Sequence, residues 1–337
     1  MSKLIFSQKK ITVLGAGSWG TALAIHLAKH QTPICLWEYD LQQVTLMQQT
    51  HCNDRYLSGI PFPSSIQVEG DLAKAVSDGQ DILLAVPSHA VRQTLIAIKP
   101  YLTDQARIIS ATKGIDPKTN RLFHETIQEI LGDRSMAVLS GPSFAKEVAK
   151  GLPTVVTIAT HHDDFGRDLV ALFNQGHFRV YLSRDLIGVQ LGGAIKNVIA
   201  IAAGASDGLG FGANAKSALI TRGLAEMIRL GIAMAAKQET FVGLSGVGDL
   251  VLTCTDDQSR NRRLGLALAC GKTAEEAEKN LGQVAEGSHT AKQVMVLAEQ
   301  YHVEMPICKQ VYRILQNEIS AKQAVIELLA RKPKAEF

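Results

Sequence analysis

The stretch "KITVLGAGSWGTALAIHLAKH", residues 10–30, constrains the fold more than any other part of this sequence. A short β-branched run leads into Gly15, Gly17 and Gly20, and an apolar helical pattern follows. In a G-x-G-x-x-G loop between a strand and a helix, each glycine has its own task. The first permits a tight turn, the second clears the approach of a pyrophosphate, and the third lets helix and strand pack closely. The pyrophosphate then rests on the first amides of the helix, where the dipole favours negative charge. Ser18 and Trp19 lie inside this loop and join its candidate cofactor contacts. "TPICLWEYD" reads as the next strand, and Glu38 near its end stands where an acid meets the ribose hydroxyls of a dinucleotide. Tyr39 follows it and can border the adenosine. Glu38 would repel a 2′-phosphate, which favours NAD. No arginine directly follows the strand, yet Arg55 can fold back towards it, so NADP stays open. The plain alternative is a glycine-rich turn without a ligand; the strand, helix and second strand around the loop weigh against it.

The first half of the chain continues in the same manner. "DILLAVPS", "RIISATKG", "SMAVLSGP" and "TVVTIAT" are short apolar runs closed by turn-forming residues, and "FRVYLS" reads as the last strand. Strands alternating with amphipathic helices predict a mostly parallel sheet covered on both faces. After Asp185 the pattern becomes helical throughout, from "RDLIGVQ" to "ISAKQAVIELLARK". Within it, Thr273 and Glu276 have capping-box spacing. The expected fold is therefore an α/β N-terminal Rossmann domain, residues 1–186, followed by an all-α C-terminal domain, residues 187–337.

At 337 residues the chain is long enough for two such cores. Its net charge of +3 is too mild to argue for a nucleic-acid partner. Five scattered cysteines without a C-x-x-C pair suit free thiols in a reducing compartment, which makes the cytoplasm the simplest location. No uninterrupted apolar stretch approaches membrane-spanning length, and the N-terminal residues do not read as a signal peptide; no integral membrane contact is expected.

The chemistry is expected in the second half. "GGAIKNVIAIAAG", residues 192–204, sets Lys196 and Asn197 into an apolar helix. A ketone that accepts hydride needs a proton on its oxygen, and the reverse reaction needs a base. A lysine whose pKa is lowered by desolvation can serve both. The alternative is a lysine whose stem covers the core while its head reaches water. Gly192 and Gly193 are unfavourable inside a helix unless it approaches another backbone or the cofactor closely. In "GVGDL", Asp249 can orient the Lys196 ammonium or accept a substrate hydroxyl, or it can simply cap the following helix. "SRNRRLG" puts arginines at a helix N-terminus, against the dipole. An anion would relieve that conflict: Ser259, Asn261, the helix amides and the fork of Arg260 can converge on a phosphate. Arg262 and Arg263 read as a solvated basic face. In the first half, Lys113 of "ATKGI" lies at a strand end, where open α/β sheets place ligands, although such a lysine is commonly a solvated loop residue. Gly141 and Ser143 of "SGPSFAKEV" offer a close backbone approach and a hydroxyl.

Together, "VLGAGSWGTALA", "ATKGI", "LSGPSFAKEV", "GAIKNVIAIAAG", "GVGDLVLTCT" and "SRNRRLG" resemble the NAD(P)-dependent glycerol-3-phosphate dehydrogenases, particularly the bacterial type, over nearly the whole chain. That resemblance implies reversible reduction of dihydroxyacetone phosphate to sn-glycerol 3-phosphate, in the service of phospholipid synthesis, by a homodimer. It implies that Lys196 exchanges the proton. It also implies that Lys113 meets the substrate and can reach the cofactor, and that Ala145 lies against the nucleotide. Arg260 would touch both ligands, while Val284 and Glu286 would border the nicotinamide; on sequence alone, that segment is an ordinary loop before a helix. The expected active site is the cleft between the two domains. Two rivals stay open: a β-hydroxyacid dehydrogenase of similar architecture, and a non-catalytic dinucleotide sensor. Contiguous "HHDDFG", with His161 and His162, is read as a turn rather than a metal site, and His89 as a loop residue.

Overall fold

The computed structural model describes residues 10–29, 32–281, 285–332 and 335. These fall into two compact units. One comprises the residues up to Asp116 with Arg121–Leu186, the other Pro117–Asn120 with the residues from Ile187 onward.

The first unit is built on a sheet of eight strands among the described residues. They are β1 (Ile11–Leu14), β2 (Ile34–Trp37), β3 (Ile66–Glu69), β4 (Asp81–Leu84), β5 (Arg107–Ser110), β6 (Met136–Ser140), β7 (Thr154–Ala159) and β8 (Phe178–Ser183). Their spatial order is β3-β2-β1-β4-β5-β6-β7-β8. All neighbours are parallel except β6 and β7, which pair antiparallel with Leu139 opposite Ile158. Buried strands such as "ITVL" and "DILL" are apolar without alternation because helices cover both faces. On one face, Ile25 and Leu27 of the helix Ser18–Ala28 pack with Phe165, Leu169 and Phe173 of the helix Asp163–Phe173. On the other, Val91 and Leu95 join Phe123 and Ile127 from the helices Val91–Ile98 and Phe123–Leu131. The strand order reverses at β1, between β2 and β4. In a sheet of this kind, ligands bind outside the carboxyl ends of the strands at that point.

Two features were not anticipated from the sequence. β3 is a four-residue edge strand, "IQVE", with two polar residues and no apolar run to announce it. The antiparallel turn at β7 follows a connection holding only the six-residue helix Ala145–Lys150.

Among its described residues the second unit contains helices and no strand. The helix Leu186–Gly208 is long and apolar enough to cross a membrane, but 89% of its most apolar window is buried. Gly192 explains one of its glycines: a Cβ there would lie 2.2 Å from the Ser245 carbonyl oxygen, so the helix meets a neighbouring backbone at that turn. The helix Ala274–Leu281 carries its capping box, with Thr273 and Glu276 bonded reciprocally at 2.9 and 3.2 Å.

Candidate active site

The glycine loop after β1 has a tight turn at its first glycine, open space at its second and a close helix contact at its third. Gly15 has φ +104° and lies so close to strand β4's exit that a Cβ would meet the Val86 amide at 2.9 Å. A Cβ on Gly20 would come within 2.0 Å of the Gly15 carbonyl oxygen, which fixes the helix on the turn. At Gly17, by contrast, a Cβ would meet nothing within 4 Å. The space beside Gly17 is open, while the other two glycines are packed. Gly17 is also the N-cap of the helix Ser18–Ala28, where no side chain caps the first amides and no acid occupies the first turn. A helix start left in this condition is suited to a phosphate. The residues therefore fit a dinucleotide.

Asn53 holds the loop in place, a role the sequence reading missed. It is fully buried, and its Nδ2 donates to the Ala16 carbonyl at 2.7 Å and to Thr21 Oγ1 at 2.8 Å. Trp19 donates its indole N–H to the Ala111 carbonyl at 3.2 Å, linking the loop to the segment after β5. At the end of β2, Glu38 is only 4% exposed, and its Oε1 accepts the Asp40 amide at 3.2 Å. Burial pushes its carboxyl above the usual range. The acid assigned to the ribose thus also braces its own turn. Tyr39 is 72% exposed.

Further along the same sheet, the Gly141 carbonyl gathers two of the expected residues. Lys113 Nζ donates to it at 3.1 Å and Ser143 Oγ at 2.9 Å. Gly141 has φ +136°, which only glycine adopts readily. Ala145 opens the helix Ala145–Lys150 immediately afterwards. The Lys113 segment is clamped from behind by Asp116, which is fully buried and accepts from Arg92 Nε at 2.7 Å and Thr126 Oγ1 at 3.1 Å.

In the second unit, Lys196 does not reach outward. It is 6% exposed, and its ammonium donates to Asp249 Oδ1 at 2.5 Å and to Thr253 Oγ1 at 2.8 Å. Asp249 is 1% exposed and begins the helix Asp249–Thr255, after a π-type turn at Leu244–Gly248. Thr253 follows one helical turn later and so lies on the same face. That i, i+4 spacing was the signal by which Thr253 was recognisable. The nearby Cys254 thiol is pushed up to about 12 by burial, so it stays protonated at neutral pH.

The helix Arg260–Ala269 has Ser259 as its N-cap, with Ser259 Oγ accepting the Arg262 amide at 3.2 Å. Asn261 bridges three elements. Its Nδ2 donates to Asn197 Oδ1 at 2.9 Å, and its Oδ1 accepts the Gly287 amide at 2.8 Å. This brings the residue after Lys196 together with the start of the helix Glu286–Gln300. An amide with these two bonds has one N–H left for a ligand. Arg260 is partly buried; desolvation pushes its guanidinium below the usual arginine value, and Glu286 opposes that shift. Val284 lies outside the described residues.

One expectation is corrected. Arg262 is not part of a solvated face: it is 9% exposed and pairs with Asp207 at 2.6 Å and with Asp257. Asp207 also pairs with Lys216 at 2.8 Å. A buried guanidinium requires such partners. Arg263 is exposed as expected. His89 is exposed, and His161 meets the Arg184 carbonyl at 3.0 Å. Among the described residues, no cluster of three or more His, Cys, Asp or Glu side chains is arranged to hold a metal.

A dinucleotide loop on a Rossmann sheet, accompanied by a buried lysine–carboxylate pair in a helical unit, defines a nicotinamide-dependent oxidoreductase. Residues 10–166 match the N-terminal part of the NAD-dependent glycerol-3-phosphate dehydrogenases, and residues 185–326 match their C-terminal part. The chain is 53% identical to a glycerol-3-phosphate dehydrogenase [NAD(P)+] of Tolumonas auensis, covering 97% of this chain and 98% of that protein. It is 54% identical to the corresponding protein of Colwellia psychrerythraea, at 97% and 98% coverage. The crystal structure of glycerol-3-phosphate dehydrogenase from Coxiella burnetii superposes with a TM-score of 0.94 at 48% identity, covering 96% of this chain and all of that one. This chain belongs to the glycerol-3-phosphate dehydrogenase family.

Proposed function

We propose that this protein interconverts dihydroxyacetone phosphate and sn-glycerol 3-phosphate with NAD or NADP, and that Lys196 carries the proton. The reading rests on one observation above all: an ammonium buried in an apolar helix and held by Asp249 and Thr253, in a chain alike to such enzymes along almost its whole length. A dinucleotide would be held by Gly15, Gly17, Ser18, Trp19 and Gly20, with Tyr39 and Ala145 along its path. When bound, it supplies or accepts the hydride at C2 of the substrate.

The chain's own residues supply the remainder. Lys196 Nζ gives a proton to the C2 oxygen during reduction and removes it during oxidation. Asp249 and Thr253 keep the ammonium oriented, and Asp249 also offers an acceptor to a substrate hydroxyl. Ser259, Arg260 and the amides at that helix start bind the phosphate, with Asn261 both contributing an N–H and bracing the site. Lys113, held at the Gly141 carbonyl beside Ser143, supplies a second cation for the substrate or cofactor. Glu286 balances Arg260 near the nicotinamide end, where Val284 is also assigned. We further infer a cytoplasmic homodimer that supplies glycerol phosphate for phospholipids, in keeping with the family.

The test is to follow reduced-nicotinamide absorbance with dihydroxyacetone phosphate, using NADH and NADPH in turn. Rapid oxidation with at least one is expected. No oxidation with either, or preference for a 2-keto acid lacking phosphate, would refute the assignment.

A further inference from the structure

At the end of β2 the charges are arranged in an unusual way. Tyr39 carries no charge, and Glu38 is buried with Oε1 turned to the Asp40 amide. The cation comes from elsewhere in the chain. Arg55, in the short helix Asp54–Leu57, returns to the strand end and pairs through Nη1 with Asp40 Oδ2 at 3.0 Å. Its guanidinium lies 5.1 Å from the centre of the Tyr56 ring. This return is built into the fold, because Asn53 immediately before that helix is buried and bonded to the glycine loop at Ala16.

We propose that Arg55 is the contact for the 2′-phosphate of NADP, with Asp40 as a fixed anion that holds the guanidinium when the ribose carries no phosphate. The inference deepens the function above and rests on a dinucleotide occupying the glycine loop. The end of β2 is where that dinucleotide presents its ribose 2′ position, and an arginine nearby is the group that accommodates a phosphate there. Arg55 is half exposed, and an ion pair in that setting contributes little, so exchanging the carboxylate for a phosphate costs little. The gain is larger: a planar fork matches a phosphate with two parallel bonds and faces a charge near −2. Asp40 stays behind when Arg55 moves. Its Oδ1 caps the helix Leu41–Thr50 by accepting the amides of Gln42 and Gln43 at 3.0 and 3.3 Å. With NAD, Glu38 and the Arg55–Asp40 pair leave a neutral ribose undisturbed. The same site can thereby take both dinucleotides.

The experiment measures binding without substrate: NADPH and NADH by nicotinamide fluorescence, and 2′,5′-ADP against ADP by calorimetry. For Arg55→Ala, NADPH and 2′,5′-ADP should weaken about tenfold or more relative to NADH and ADP, the scale of a lost charge-assisted bond. Arg55→Lys, which keeps the charge and loses the fork, should fall between. Asp40→Asn keeps a good helix cap and removes the competing anion, so NADPH should bind tighter. If Arg55→Ala leaves the NADPH-to-NADH ratio unchanged, the inference is overturned while the dinucleotide site stands. If the unaltered protein binds neither dinucleotide, the glycine-loop reading fails and takes the inference with it.

Discussion

Replacing Lys196 by methionine, or Asp249 by asparagine, breaks a pair whose side chains are 7% and 1% exposed. At 2.5 Å, with an effective dielectric near 20, the gross attraction is about 7 kcal/mol. Much of it offsets the desolvation of two charges. What a single substitution leaves is one buried charge without its ion-pair partner, and that costs about 3–5 kcal/mol. The double variant Lys196→Met/Asp249→Asn buries no charge and should cost about 1–2 kcal/mol, for an imperfectly paired amide. The two singles together should exceed the double by about 4–9 kcal/mol. Urea unfolding followed by far-UV circular dichroism measures this over the helices of both units. Tryptophan fluorescence reports separately on the first unit, because the only tryptophans are Trp19 and Trp37. Singles that add to the double within about 0.5 kcal/mol would mean that the groups are independent and the pair is not formed.

Other perturbations separate ligand contacts from scaffold. Gly17→Ala should leave stability within about 0.5 kcal/mol, because its Cβ meets nothing, yet weaken NAD(P)H binding by filling the phosphate approach. Gly20→Ala should cost about 1–3 kcal/mol by pushing the helix off the Gly15 carbonyl, and equal stability losses in the two variants, measured by thermal melting, would refute this distinction. Thr253→Val keeps shape but removes one Lys196 partner. It should lower kcat about tenfold or more with KM little changed, the worth of a bond to a charged group, and a pure KM effect would contradict it. Two carboxylates give opposite pH trends in urea midpoints. Burial raises the Asp207 carboxyl, but bonds from Lys216 and Arg262 outweigh it and hold the value below 3.8. Its stabilisation is present above 3.8 and lost as pH falls through the lowered value, so Asp207→Asn should flatten the acid limb. Glu226 is pushed above 4.5 by burial, against the amides of Ile307 and Cys308. Its contribution is full below 4.5 and lost as pH rises through the raised value, so Glu226→Gln should gain on the unaltered protein across that window. Parallel pH curves for either variant would refute the assignment of that group.

The glycine loop was legible because its requirements are local: a turn, an open approach and a close helix contact all lie within Gly15–Gly20. The central strands were legible from their unbroken apolar runs. β3 escaped because an edge strand with Gln67 and Glu69 carries little of that signal, and strand direction at β7 is decided by a connection rather than by the strand itself. Within "SRNRR", nothing separates Arg262 from Arg263. The distinction depends on Asp257 just before that stretch and on Asp207, fifty-five positions upstream, both reaching the Arg262 guanidinium. The burial of Lys196 could be suspected from its apolar neighbours and Asp249 named beside it, while Thr253 joins the pair only because the helix after the π-type turn brings it to the same ammonium. Arg55 lies too far along the sequence for its place at the strand end to be read from β2, and the buried Asn53 amide anchors the start of its helix at the glycine loop.

The central claim is that Lys196 moves the proton at the substrate oxygen. The most direct measurement compares dihydroxyacetone phosphate reduction by the unaltered protein and by Lys196→Met, with NAD(P)H affinity measured on the same samples as a check of the fold. Turnover should collapse by about a hundredfold or more while the dinucleotide still binds, the scale of a lost general acid. Turnover within a few-fold of the unaltered protein, with binding intact, would show that the buried ammonium is structural and that the proton comes from elsewhere.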